Sequence, residues 1–197
     1  MPYSNDLKVF WFTPIRTASR ACINLQEHLK FEDLYSHRLF HNSQQKDYYF
    51  ISNIRNPYSR LVSIFFLFCN NNNRDTDNFP IWVTKNLKEG LINVSAYQIR
   101  LESLYSDEIR YPDYYVRIEN LEEDIRNLWF VKENMSLDLE KIIQDTIISN
   151  QYLSEFGDRK PWQEFYDEEL ANYVYSFLEK DFLLFGYDKN CWKNGTS

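Results

Sequence analysis

The sequence predicts an α/β fold of the three-layer α/β/α kind, a parallel sheet flanked by helices, on three observations. Residues 7 to 13, LKVFWFT, form a short apolar β-prone run, and PIRTASRACINLQEHL then shifts to helical spacing through Ala21, Ile23, Leu25 and Leu29. Residues 47 to 68 repeat the succession, with DYYFISNIR as strand and YSRLVSIFFLF as helix. DYYVRIENL at 113 to 121 reads as a third buried strand that runs into the acidic, helix-favouring LEEDIRNLWF. Strands that alternate with helices need crossover connections, and these lay helices on both faces of a parallel sheet.

The boundaries follow from local chemistry. Asn56 is placed to cap the second helix, with Pro57 at its first position, where a missing N–H costs nothing. NNNNR at 70 to 74 reads as an exposed loop after that helix. LYSHRLF, 34 to 40, is apolar enough to be a further strand ending just before His41. The C-terminal third, from SLDLEKIIQDTI to DEELANYVYSFLEKDFLLFGY, is helical and ends near Gly186; it is expected over the carboxyl edge of the sheet or on one flank.

Length and composition narrow the classes. With 197 residues, 44% of them hydrophobic, the chain suits one domain spanning 1–197. A formal net charge of −7 argues against a general nucleic-acid or anionic-membrane binder, which needs a broad basic surface, so an anionic ligand has to be held locally. Cys22, Cys69 and Cys191 are odd in number and lack metal-ligand spacing, which points to reduced thiols, no metal and a cytoplasmic location. MPYSNDLKVFWF lacks the features of a signal peptide, and IFFLF is far shorter than the roughly 20 residues of a membrane span.

The two strand-to-helix corners carry the chemistry, in a P-loop-like arrangement. Ligands of open parallel sheets bind outside the carboxyl ends of the strands, where helix N-termini present free N–H groups and the positive end of the dipole. At the first corner, TPIRTASR offers the charge of Arg16, the hydroxyls of Thr17 and Ser19, and the first helical N–H groups. At the second, Arg55 closes the strand, and Ser59 and Ser63 lie one turn apart on the helix. Two anion sites at neighbouring corners suit a ligand with two separated anionic groups.

The stretch RNPYSRLVS, an arginine followed eight positions later by a serine, resembles the second nucleotide motif of the sulfotransferases that use 3′-phosphoadenosine 5′-phosphosulfate (PAPS), especially the branch with carbohydrate sulfotransferases. The resemblance implies that Arg55 and Ser63 hold the 3′-phosphate of the donor, with Arg60 as a helper. RTASR is similar to the family's first motif at Arg16, Thr17 and Ser19. It departs from that motif where Ala18 replaces a glycine, Arg20 replaces a hydroxyl residue and Ile15 stands where proline is common. Alanine is awkward if the loop needs positive φ, and Arg20 then adds charge where a hydroxyl is missing. YYVRIENLEED is similar to the family's late strand and acidic turn, with Arg117 and Glu119 as an internal pair, and EFYDEELANYVYSFLEKDFLLFGYD resembles its closing helix. DRKPW resembles the basic segment that folds over the nucleotide, which implies donor contacts from Arg159 and Lys160. The likeness covers about 10 to 65 and 110 to 188 and leaves 70 to 110 unmatched, where acceptor specificity is expected.

The activity implied is sulfuryl transfer to a hydroxyl or amine acceptor, a glycan or a small molecule, without a metal. Arg16 and the N–H groups of Thr17, Ala18 and Ser19 would balance charge on the bridging and 5′-phosphate oxygens. An arginine there acts electrostatically, since it does not give up its proton as a lysine can. The acceptor proton needs a base: His41 first and His37 second, with Glu27 and His28 behind them. Two other readings stay open. A P-loop-type nucleotide kinase or hydrolase shares the corner geometry, although GxxxxGK[ST] is missing. A nucleotide-binding protein of the same fold without activity would accommodate Ala18 and Ile15.

Overall fold

The computed structural model describes residues 2–33, 47–72, 79–90, 111–154 and 161–194. The chain is α/β, with a mixed sheet and, among the described residues, eight α-helices, an inventory compatible with three α/β/α layers. It forms two compact units, Met1–Ile54 with Arg100–Gly157, and Arg55–Ile99 with Asp158–Ser197.

The first unit contains the sheet. Strands β1 (Pro2–Ser4), β2 (Val9–Phe12), β3 (Glu32–Asp33), β4 (Tyr49–Ile54) and β5 (Tyr114–Arg117) lie in the order β3-β1-β2-β4-β5. β2 and β4 are parallel, as are β4 and β5, which is the arrangement expected of the three strand–helix successions. The sheet as a whole is not parallel, however, because β1 runs antiparallel to both β2 and β3. The physical reason is the tight connection at residues 5–8, where the Lys8 N–H bonds to the Asn5 carbonyl (3.3 Å) and Lys8 takes φ 54°. So short a return is possible only between antiparallel strands.

Every residue of β2 is buried, and β4 is buried from Phe50 on, as suits strands covered on both faces. On one face Val9, Trp11, Ile51 and Val116 meet α1 (Ser19–His28), α4 (Leu121–Asn127), α5 (Trp129–Glu133) and α6 (Leu137–Ser154). Trp11 is fully buried and packs its edge on Phe31 and Phe130. A single turn of 3₁₀-helix, Ile118–Asn120, joins β5 to α4, and α6 packs along α1. The Arg126 guanidinium makes a two-pronged bond to Glu140 (2.7 and 2.6 Å) that ties α4 to α6. Arg117 is held by Asp124, whose carboxylate accepts its backbone N–H at 2.7 Å and lies 3.8 Å from its guanidinium.

The second unit is helical: α2 (Pro57–Asn72), α3 (Phe79–Glu89), α7 (Glu168–Phe185) and α8 (Cys191–Asn194), with a 3₁₀ turn at Trp162–Phe165. Tyr58, Leu61, Phe65, Phe79, Val174 and Phe182 form the middle of its core. Asp167 caps α7 by accepting the Leu170 N–H (2.8 Å), and Gly186 ends it in the left-handed region (φ 73°), where the Tyr187 N–H reaches the Phe182 carbonyl at 3.0 Å. The helix end read from the sequence thus coincides with the glycine. Among the described residues, no helix is long and apolar enough to cross a membrane.

Candidate functional site

The first corner follows β2. Phe12 lies opposite Ser52 in parallel register, so β2 and β4 deliver the chain to the same edge of the sheet. Residues 13–18 then turn into α1. Within this loop Thr17 is completely buried, its N–H bonds to the Pro14 carbonyl (3.2 Å), and its hydroxyl donates to the same oxygen (2.6 Å). Its hydroxyl proton and its N–H are therefore both committed inside the loop.

The conformation of that backbone is unusual. Arg16 has φ 65° and Ala18 has φ 58°, with Thr17 between them outside the positive-φ region. Each left-handed non-glycine residue costs about 1–2 kcal/mol. Alternation of handedness along successive residues turns neighbouring N–H groups toward one concavity, the geometry of an anion nest. Ala18 is also the N-cap residue of α1 and has no side-chain acceptor, so no side chain caps this helix, and its first turn holds no acidic residue. Within that first turn no carboxylate offsets the positive end of the helix dipole. Arg16 and Ser19 are half-buried there, and Arg20 is exposed.

The second corner, at the start of the second unit, is built by side chains. Asn56 caps α2, its Oδ1 accepting the N–H groups of Tyr58 (3.0 Å) and Ser59 (3.3 Å) while its Nδ2 donates to Cys191 Sγ (3.0 Å). Pro57 is the first helical residue, as its sequence position predicts. The Arg55 Nε–H donates to Ser59 Oγ (2.6 Å), which lays the guanidinium along the first turn, and Ser63, one turn on, is half-buried. Arg60 is almost completely buried; its pKa is drawn down to about 10, first by desolvation and further by the like charge of Arg55, against the opposing pull of Asp181. Asp181, on α7, is itself 2% exposed.

Glu27 and His28 lie exposed in the last turn of α1, about 12 Å along the helix from the loop. His37, His41, Arg159 and Lys160 lie outside the described residues. Two residues escape a reading of the sequence. Asn53 is fully buried in β4, accepts the Trp11 indole N–H (2.7 Å), and donates to the Thr17 carbonyl (2.8 Å) and Cys22 Sγ (3.4 Å). Asp181 is the counter-charge of Arg60 from 121 positions away (181 − 60). For Asn53 the available signal was a polar residue inside an apolar run; Asp181, directly after Glu179 and Lys180, gives no such signal. Among the described residues no group of three or more His, Cys, Asp or Glu side chains is placed to hold a metal ion. Comparison with known protein families, with curated proteins and with solved structures finds no significant match to this chain.

Proposed function

We propose that the protein binds PAPS and transfers its sulfuryl group to a hydroxyl or amine acceptor. The observation that carries the reading is the backbone of the first corner: left-handed Arg16 and Ala18 flank Thr17 at the mouth of an uncapped helix, directly after a buried parallel strand. A chain that accepts two strained non-glycine residues at one loop has a use for the geometry they create. In this reading Arg16 and the outward N–H groups of Ala18 and Ser19 take the 5′-phosphosulfate, and Arg20 adds charge. Arg55 and Ser63 take the 3′-phosphate, Arg159 and Lys160 close over the nucleotide, and His41, or else His37, removes the acceptor proton. Sulfuryl transfer shares the demands of phosphoryl transfer, namely in-line placement and neutralisation of charge on the leaving phosphate. A cytoplasmic location belongs to the same reading, with which the free thiols of Cys22 and Cys191 agree.

A second reading, nucleotide binding without turnover, draws support from the Thr17 hydroxyl, which is turned inward to Pro14, and from alanine at position 18. Isothermal titration with PAPS, with 3′-phosphoadenosine 5′-phosphate (PAP) and with ATP, followed by an acceptor screen using radiolabelled donor sulfate, separates the possibilities. Tight PAPS and PAP binding with label transfer is the expected result. Binding without transfer favours the second reading, and metal-dependent preference for ATP overturns both in favour of phosphoryl chemistry.

A further inference from the structure

We propose that Asn53 is the positioning residue of the anion loop, its amide holding the Thr17 carbonyl against the sheet so that the next N–H, that of Ala18, faces outward to the ligand. The inference rests on the donor reading for its ligand but not for its geometry. The orientation of the Asn53 amide is determined by its neighbours. The Trp11 indole N–H can only donate, so the atom 2.7 Å from it is the amide oxygen, and the amide nitrogen is left facing the Thr17 oxygen at 2.8 Å. A trans peptide is planar with its C=O and N–H pointing in opposite directions, and no peptide bond here is cis. Fixing the Thr17 oxygen inward therefore fixes the Ala18 N–H outward. The second amide proton points to Cys22 Sγ on α1 (3.4 Å), so one side chain braces strand, loop and helix together.

The role needs an acceptor and a donor on one short side chain, which an amide supplies and a carboxylate does not. Asn53→Asp keeps the shape and still accepts from Trp11, but it sets a carboxylate oxygen against the Thr17 carbonyl. Protonation restores one donor, and burial raises the pKa of such a carboxyl so that this happens in mild acid. The titratable group in contact with position 53 is the Cys22 thiol, which burial pushes up to about 11, so it stays neutral across that range.

The test compares wild type and Asn53→Asp for binding of PAP and of adenosine 3′-monophosphate, which lacks the 5′ group. The variant is expected to bind PAP about tenfold more weakly at neutral pH, as for loss of a hydrogen bond to a charged group. Its affinity for the 3′-monophosphate stays at the wild-type value, and its affinity for PAP recovers in mild acid. Equal loss for both nucleotides, or a deficit that acid leaves unchanged, overturns the positioning role. If the wild type binds neither nucleotide, the donor reading fails, and Asn53 is judged on the free protein. There the Ala18 amide resonance of the variant must shift from its wild-type position and return toward it in acid; an unshifted resonance overturns the inference. Should Asn53→Asp not fold, Trp11→Phe removes the proton that orients the amide. The Ala18 resonance must then move in that variant, and its failure to do so overturns the inference equally.

Discussion

At the first corner backbone N–H groups add to the charges of Arg16 and Arg20. Ala18 leaves the helix uncapped, Arg16 and Ala18 sit in the left-handed region, and an amide from the neighbouring strand fixes the peptide between them. At the second corner Asn56 has already taken the N–H groups of Tyr58 and Ser59, and the charge is carried by side chains, the guanidinium of Arg55 and that of Arg60 with Asp181 opposing it. The difference teaches what each corner tolerates. A backbone site responds to changes in shape at uncharged residues. A side-chain site is deaf to such changes and responds to single charges.

The largest expected effect tests whether either corner also does the proton chemistry. If the base lies between them in sequence, His41→Ala lowers kcat by about 10²- to 10⁴-fold while PAP affinity holds, because a general base acts in the transition state. A wild-type kcat in His41→Ala, with the loss appearing in His37→Ala, moves the base by four positions (41 − 37).

Next comes the charge balance of the second corner. Asp181→Ala leaves Arg60 buried without its counter-charge, a loss of about 3–5 kcal/mol in stability by denaturant titration. The same substitution leaves the first corner's geometry alone, so a changed Ala18 amide resonance would break the separation drawn here. Arg55→Ala is smaller: the variant stays folded and loses about 1.5–3 kcal/mol of the preference for PAP over AMP. Equal affinity of the wild type for PAP and AMP would remove the 3′-phosphate assignment.

Smallest is Ala18→Gly, which relieves the left-handed strain. A net gain of about 1 kcal/mol, seen as a thermal midpoint about 2–4 °C higher, is expected after the extra flexibility of glycine in the unfolded chain is deducted. An unchanged or lower midpoint would mean that the φ of 58° is not strained in its context.

What the sequence made legible was local. The Asn56 cap, the Pro57 start and the Gly186 end each rest on chemistry within a few residues, and each stands where the sequence puts it. Alanine in the RTASR loop signals a conflict only if that loop turns left-handed, and it does. The illegible parts are long-range or too short for periodicity. β1 and β3 have three and two residues, too few to show alternation, and without them the sheet looks wholly parallel. Asn53 reads as an interruption of an apolar strand until Trp11, 42 residues away, and Thr17, 36 away, close on it. Arg60 looks like one more ligand arginine until α7 brings up Asp181.

The interleaving of the two units bears on how the protein is made. The chain passes from one unit to the other three times, after Ile54, Ile99 and Gly157. On a ribosome, β2 and α1 emerge early, yet the core they belong to also needs Val116, Ile125 and Ile143, so it stays open until most of the chain has been synthesised. The helical unit waits longer still, since its core also needs Phe182 and Cys191, which follow all of these in sequence. A nascent chain of this design keeps Trp11, Phe65 and their neighbours exposed until those later segments emerge, a state prone to aggregation. It also follows that a cut after Ile54 or Ile99 divides the first unit between two fragments, and that a premature stop before Cys191 leaves the second corner, where Asn56 donates to Cys191, without a finished scaffold.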